Sequence, residues 1–163
     1  MEIKSQFTNF EGKTAYVTYN DANSFDNLIG KKVTQAYGVC FYDGKLLVVR
    51  NEKKNFWTPA GGSIEKEETF GQCLVREVQE ESNMKVLDFK PIGYQEVKME
   101  GKVFYQLRYV CTVEPHGDFV FDPCGDVTEI KLIDSKDYKQ YFDWGEIGDR
   151  IIQRALELKS ILK

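Results

Sequence analysis

The N-terminal part of the chain contains three segments whose hydrophobic pattern favours β-strands. Residues 13–20 alternate between apolar and polar side chains, and residues 33–42 and 45–50 are apolar and rich in β-branched types. Asp43 and Gly44, between the last two segments, are typical of a two-residue hairpin turn. The pattern therefore predicts strands that are joined at this point by a tight hairpin.

One helix is predicted near the middle of the chain. It follows residues 51–68, which contain a proline and two consecutive glycines and are predicted as a turn region. Thr69 and Gln72 have the spacing of a capping box, so the helix should begin there. It should end near Ser82, because Asn83 tolerates the left-handed conformation that stops a helix.

The remaining pattern completes an α/β fold. Strands are predicted at residues 86–97, 102–113 and 129–134, and a hairpin-like turn joins the first two. Residues 146–163 place apolar side chains on one helical face, with Asp143 as a candidate N-cap. The order of strands, helix, strands and helix predicts a single domain, residues 1–163, with a mixed β-sheet flanked by helices.

The central helix carries carboxylates on the face that should be buried. At about 100° per residue, Glu77 and Glu81 fall within the apolar sector of this helix and Glu80 falls at its edge. Burial of carboxylates is costly unless a cation, hydrogen bonds or protonation compensates for it. A single arginine, Arg76, cannot neutralise three of them, so the pattern predicts an additional cation.

A hard divalent cation suits these ligands. Clustered carboxylate oxygens favour Mg²⁺ or Mn²⁺, whereas the single histidine and the scattered cysteines offer little to zinc. Mg²⁺ that is held by a few carboxylates keeps coordination positions open for water and phosphates. The sequence thus predicts Mg²⁺ or Mn²⁺ as cofactor, and chemistry at a phosphate ester or phosphoanhydride.

The segment around these glutamates resembles the Nudix box, written G-x5-E-x7-R-E-U-x-E-E-x-G-U with U an aliphatic residue. The box runs from Gly62 to Met84, and the matching positions are Gly62, Glu68, Arg76, Glu77, Val78, Glu80, Glu81 and Met84. Asn83 replaces the family glycine, and both residue types adopt the left-handed conformation. The resemblance implies a Nudix-like α/β/α sandwich and a hydrolase that acts on phosphoanhydride bonds.

The resemblance also implies roles for the box residues. Glu77, Glu80 and Glu81 match the family's metal ligands and are the candidate catalytic carboxylates. The Gly61 carbonyl matches a backbone ligand of the metal. An exposed, charged helix edge is the alternative for the glutamates, and a plain tight turn is the alternative for the glycine.

Glu68 and Arg76 are expected to support the metal ligands rather than to bind the metal directly. In the family the box arginine pairs with glutamate and holds the geometry between loop and helix, which is the role implied for Arg76. Glu68 precedes the helix cap, where a carboxylate interacts favourably with the helix dipole. It is either structural or reaches the metal through water.

Substrate-binding residues and the general base are less well defined. Arg50 ends a predicted strand where the family often has a phosphate-contacting arginine, and Trp57 could stack on a base. A solvent-facing strand end and ordinary packing are the respective alternatives. Family members take the base from the box or from a later loop; Glu129 is favoured here, with Asp126 and Glu77 as rivals.

Charge and composition narrow the possible partners and location. A formal net charge of −4 opposes binding to a nucleic-acid polymer, which needs a basic face. No apolar segment approaches the length of a membrane span, and the N-terminus does not resemble a signal peptide. A cytoplasmic location with reduced cysteines is predicted, and a homodimer through the N-terminal strands, common among similar proteins, stays open.

The predicted function is Mg²⁺-dependent hydrolysis of a nucleoside diphosphate linked to another moiety. A nucleoside triphosphate, with oxidised ones included, is the first choice of substrate. A catalytically quiet Nudix domain that senses a nucleotide is one alternative. Isopentenyl diphosphate isomerase chemistry is the other, and it needs a catalytic cysteine for which the sequence has no local signature.

Overall fold

The fold is seen in a computed structural model that describes residues 1–9, 11–123 and 125–163. Within these residues, nine strands form one sheet: β1 (Glu2–Thr8), β2 (Thr14–Asp21), β3 (Val33–Tyr42), β4 (Lys45–Asn51), β5 (Phe56–Thr58), β6 (Ala60–Ser63), β7 (Met84–Met99), β8 (Lys102–Pro115) and β9 (Val127–Ile133). The helices are α1 (Phe70–Ser82) and α2 (Gly145–Leu158), with short 3-10 helices at Asp26–Leu28, Ser135–Gln140 and Lys159–Ile161.

The hairpins that the sequence predicted are present. Asp43 and Gly44 join β3 to β4 with φ angles of 49° and 74°, and Glu100 and Gly101 join β7 to β8 with φ angles of 52° and 73°. Positive φ at both central positions of a two-residue loop matches the right-handed twist of the strands that it connects. The predicted strands correspond to β2, β3, β4, β7, β8 and β9.

Residues 51–68 differ from the prediction of a simple turn region. They contain β5 and β6, and β6 pairs antiparallel with β3 so that Gly61 lies opposite Tyr37. Alanine and glycine have low intrinsic strand propensity, so the pairing partner makes this segment a strand. β1 was also not predicted, although it pairs with β2 along its whole length.

The sheet is mixed, as predicted. Its main path runs in the order β1-β2-β7-β8-β3-β4-β5, while β6 pairs with β3 and β9 pairs with β4. The pairing of β3 with β8 is parallel, and the other pairings are antiparallel. β3 therefore lies centrally, next to β8, β4 and β6.

Two apolar clusters lie on the two faces of the sheet. One contains Cys73, Leu74 and Val78 of α1, and the other contains Ile147 and Ile151 of α2. Each helix therefore covers one face, because its apolar stripe must be removed from water. This arrangement is the predicted α/β/α sandwich.

The ends of α1 follow the predicted signals. The Thr69 side chain accepts the Gln72 N–H, and the Gln72 side chain accepts the Thr69 N–H, which completes the capping box. Asn83 has φ 54° and ψ 30° and ends the helix. The prediction that Asp143 caps α2 is wrong by one residue: Trp144 is the N-cap, and Asp143 accepts the Gly145 N–H.

Three of the four cysteines lie in described parts of the chain. Cys40, Cys73 and Cys111 are buried with free thiols, and Cys124 lies outside the described residues. In the same described parts, no helix has the length and apolar character that a membrane span requires.

Asn83 offers a test of how α1 ends. Replacement by alanine should lower the free energy of unfolding by up to about 1–2 kcal/mol, because alanine lacks the polar side chain that lets asparagine adopt the left-handed conformation. The loss includes the hydrogen bond from Asn83 Nδ2 to the Asp118 carbonyl, 3.0 Å long. Replacement by glycine loses only that bond and should cost less. Urea unfolding measures both variants, and equal stability of the two would contradict this account.

Candidate active site

The site forms where β6 meets α1. Gly61 is so close to β3 that a Cβ would lie 2.4 Å from the Ala36 carbonyl oxygen. Only glycine fits a backbone that approaches its neighbour this closely. On its other side, β6 contacts α1, because the Gly61 N–H donates to Glu81 of that helix.

Glu81 is fixed against this strand. Its Oε1 accepts the Gly61 N–H at 2.7 Å. Burial raises the pKa of the Glu81 carboxyl to about 8, although the hydrogen bond from Gly61 favours the charged form. The structure thus holds a carboxyl that costs free energy to ionise until a cation approaches.

Glu77 packs against the next residue of the strand. A Cβ at Gly62 would lie 2.5 Å from the carboxyl carbon of Glu77, so the glycine creates the space that this carboxyl fills. The Glu77 side chain is 15% exposed, and burial raises its pKa. Glu77 and Glu81 therefore lie against two consecutive glycines, on the inward face of α1 where the helical spacing placed them.

Arg76 connects the carboxylates around the helix. Its guanidinium lies 2.7 Å from Glu68, 2.9 Å from Glu77 and 3.2 Å from Glu80, and it donates to the Ser63 carbonyl at 2.9 Å. Hydrogen bonding from Arg76 lowers the pKa of Glu68. One cation thus links the turn, the end of β6 and the helix.

The chemical type of these side chains, carboxylates, suits a hard cation. Across the described residues, no set of three or more histidine, cysteine, aspartate or glutamate side chains is already arranged to hold a metal ion. The physical reason is that Arg76 is bound to Glu77 and Glu80 while Glu81 accepts a backbone N–H. Glu77 and Glu81 supply buried carboxylates of raised pKa, and carboxylate oxygens are the ligands that Mg²⁺ and Mn²⁺ prefer.

Asp122 is an acidic neighbour of this site that the sequence analysis missed. It is 4% exposed, accepts the Val127 N–H at 3.2 Å, and contributes to the raised pKa of both Glu77 and Glu81. The acidic character of residues 121–129 was the available signal. Which acid of that segment turns inward depends on the loop conformation, which no local pattern specifies.

Glu129 and Asp126, the acids of this segment that the sequence suggested as general bases, make other contacts. Glu129 is exposed on β9, directly opposite Arg50 of β4. Asp126 forms an ion pair of 2.7 Å with Lys53. The role of Glu129 as general base therefore stays a prediction, with Asp122 as the acid that interacts with the box carboxylates.

The predicted substrate-binding residues contact protein groups. Arg50 donates to Asn55 Oδ1 at 3.0 Å. The Trp57 ring meets Tyr141 edge to face at 5.6 Å and has the Lys131 ammonium 5.1 Å from its centre. It packs against the cluster on the α2 face, so its immediate surroundings are those of a packing residue.

Comparisons with known proteins agree with this geometry. The NUDIX domain model matches residues 32–155. A Bacillus subtilis (strain 168) protein provisionally named 8-oxo-dGTP diphosphatase YtkD is 25% identical over 109 residues, which are 67% of this chain. The chain spans 65% of that relative's length.

Solved structures show the same fold. The pyrophosphohydrolase BsRppH of Bacillus subtilis superposes with a TM-score of 0.67 at 18% identity, over 98% of this chain and 99% of that one. An Ap4A hydrolase from C. elegans gives a TM-score of 0.60 at 17% identity, over 78% and 98% of the two chains. The family model covers most of the sequence, including the whole box, and the chain therefore belongs to the NUDIX domain family.

Proposed function

We propose that this chain is a pyrophosphohydrolase that cleaves a phosphoanhydride bond in a nucleoside diphosphate linked to another group, with a nucleoside triphosphate as the first candidate. The observation that carries the proposal is the burial of Glu77 and Glu81 against the glycines of β6. Folding has placed these carboxyls where their ionisation is costly, which a divalent cation relieves. Membership of the family and the name of the YtkD relative support this choice of substrate class.

The chain's own residues have distinct tasks in this proposal. Glu77, Glu80 and Glu81, with the Gly61 carbonyl, would hold Mg²⁺ or Mn²⁺, while Arg76 orients the glutamates. The bound ion would screen the negative charge of the phosphates and lower the pKa of a water molecule. Asp122 or Glu129 would accept the proton of the attacking water, while the P–O bond to the leaving phosphate group would break.

One observation favours the alternative of a nucleotide-binding domain without turnover. Arg76 already donates to Glu77 and Glu80, so part of the negative charge is neutralised by the protein itself. A panel of nucleoside diphosphate derivatives and triphosphates, incubated with Mg²⁺ and with Mn²⁺, separates the two functions. Release of phosphate, pyrophosphate or nucleoside monophosphate supports the hydrolase, and binding without release supports the sensor.

Glu81→Gln tests whether Glu81 binds a cation. Mg²⁺ or Mn²⁺ should raise the melting temperature of the wild type, because a ligand at 100 times its Kd stabilises a protein by about 2.7 kcal/mol. The variant should lose most of this rise. Its melting temperature without metal should stay about equal, because glutamine is neutral like the protonated Glu81 carboxyl and its side-chain oxygen can still accept the Gly61 N–H. An unchanged metal response in the variant would exclude Glu81 as a ligand.

Gly62→Ala tests the contact between β6 and Glu77. The added methyl group displaces the end of a flexible side chain, so the free energy of unfolding should change little. Loss of a residue that only orients a metal ligand lowers activity roughly 10–100-fold. Turnover should fall by more than this, because the displaced carboxyl of Glu77 is itself a proposed metal ligand. Ser63→Ala, at the exposed adjacent position, is the matched control. Full activity of Gly62→Ala would show that the close packing has no catalytic purpose.

Asp122→Asn and Glu129→Gln compare the two candidate bases. The variant that lacks the base should lose at least the 10²-fold that general base catalysis contributes. It should also lose the acidic limb of the kcat–pH profile. We expect this result for Asp122→Asn, because Asp122 interacts with both buried glutamates. The same result in Glu129→Gln would instead return the role to Glu129.

A further inference from the structure

Arg108 of β8 is a buried cation that the proposed chemistry does not use. Arg108 is only 6% exposed. It donates to the Leu107 carbonyl at 3.0 Å and to the side-chain oxygens of Gln95 and Gln106, all of which are neutral. In the described parts of the chain, its Nε has no hydrogen-bond partner.

Three other arginines of this chain are paired with carboxylates. Arg76, Arg150 and Arg154 each lie within 4.0 Å of at least one carboxylate. Arg108 has no salt bridge within the described residues, and burial lowers its pKa to about 10, which leaves it charged at neutral pH. A buried charge without a counter-charge is strongly unfavourable. Replacement by an apolar residue would remove that cost, so a ligand that accepts hydrogen bonds from Arg108 would account for its presence.

A cavity opens at this guanidinium. It has a volume of about 460 Å³ and lies between Arg108 and Gln95 on one side and the N-terminus of α2 on the other, with Phe7 and Trp144 among its lining residues. The centre of the guanidinium lies 5.6 Å from the centre of the Trp144 ring. Aromatic walls around a few polar groups suit a planar ring with hydrogen-bonding atoms at its edge.

Tyr37 connects this cavity to the candidate active site. The Arg108 guanidinium lies 5.1 Å from the centre of the Tyr37 ring. The same ring lies so close to Gly61 that a Cβ there would be 2.6 Å away, and the Gly61 N–H is bound to Glu81. Tyr37 is the register partner of Arg108 on β8 and of Gly61 on β6, so it lies between these two residues in the sheet. Neighbouring strands lie about 4.8 Å apart, so Arg108 and Gly61 are separated by about two strand spacings, a distance that a nucleotide can span.

We propose that the Arg108 cavity binds the base of the substrate, and that Arg108 selects purines with a carbonyl group at position 6 over adenine. The inference rests on the proposed function for the identity of the ligand as a nucleotide. Guanidinium groups only donate hydrogen bonds. Guanine and hypoxanthine present two adjacent acceptors, O6 and N7, whereas adenine has an amino donor in place of O6. Adenine would therefore place a donor against a donor.

Binding of GMP, IMP and AMP, measured by calorimetry, tests this assignment without turnover. The wild type should bind GMP and IMP about tenfold or more tighter than AMP, the range in which arginine distinguishes guanine from other bases. Arg108→Met should abolish this preference. Arg154→Met, which removes an arginine of α2 that lies outside the cavity, should keep it.

Urea unfolding of Arg108→Met shows whether a change in its nucleotide binding is due to misfolding. Because the variant removes an unpaired buried charge, its urea midpoint should be equal to or above that of the wild type. Equal affinity of the wild type for GMP and AMP would overturn the assignment. A uniform loss of affinity for all three nucleotides in Arg108→Met would also overturn it, since the side chain would then bind the phosphate or the sugar.

Hydrolysis separates this inference from the proposed function. If the chain turns over GTP and ATP, their ratio of kcat/KM should fall about tenfold in Arg108→Met. An unchanged ratio would overturn the role of Arg108 while the hydrolase proposal stands. If no nucleotide is hydrolysed but the preference for GMP depends on Arg108, the cavity assignment stands and the hydrolase proposal fails.

Discussion

The close approach of β6 to α1 is the constraint on which the candidate site depends. Gly61 and Gly62 have no side chains, so the strand can pair with β3 on one side and receive two glutamates on the other. The backbone N–H of Gly61 then binds Glu81, and the space beside Gly62 holds the carboxyl of Glu77. A side chain at Gly61 would collide with β3, and one at Gly62 would displace the carboxyl of Glu77.

The local charge balance follows from this packing. Two carboxyls are forced into a poorly solvated position, and their pKa values rise because ionisation there is unfavourable. Arg76 reduces the cost by donating to Glu77, Glu80 and Glu68, but its hydrogen bonds do not reach Glu81. Glu81 keeps the pKa of about 8, and it is therefore the carboxyl for which an added cation has the greatest effect.

The parts of the fold that could be predicted from sequence are those set by short-range chemistry. The capping box at Thr69, the left-handed Asn83 and the hairpin at Asp43 each depend on residues that are close in sequence. β6 could not be predicted, because its alanine and glycine residues become a strand only through the partner strand β3. Asp122 was missed for a similar reason, since the path of its loop decides which acid turns inward.

Two buried ionisable groups, Glu81 and Arg108, lie near the same side chain, Tyr37. Glu81 is an acid that burial disfavours in its charged form, and Arg108 is a buried base without a salt bridge among the described residues. Tyr37 interacts electrostatically with both. A metal-bound nucleotide offers a cation to the first residue and hydrogen-bond acceptors to the second. On the two proposals, a single ligand would lower the cost of ionising Glu81 and would give Arg108 hydrogen-bond acceptors, which is a physical reason for a fold to retain both groups.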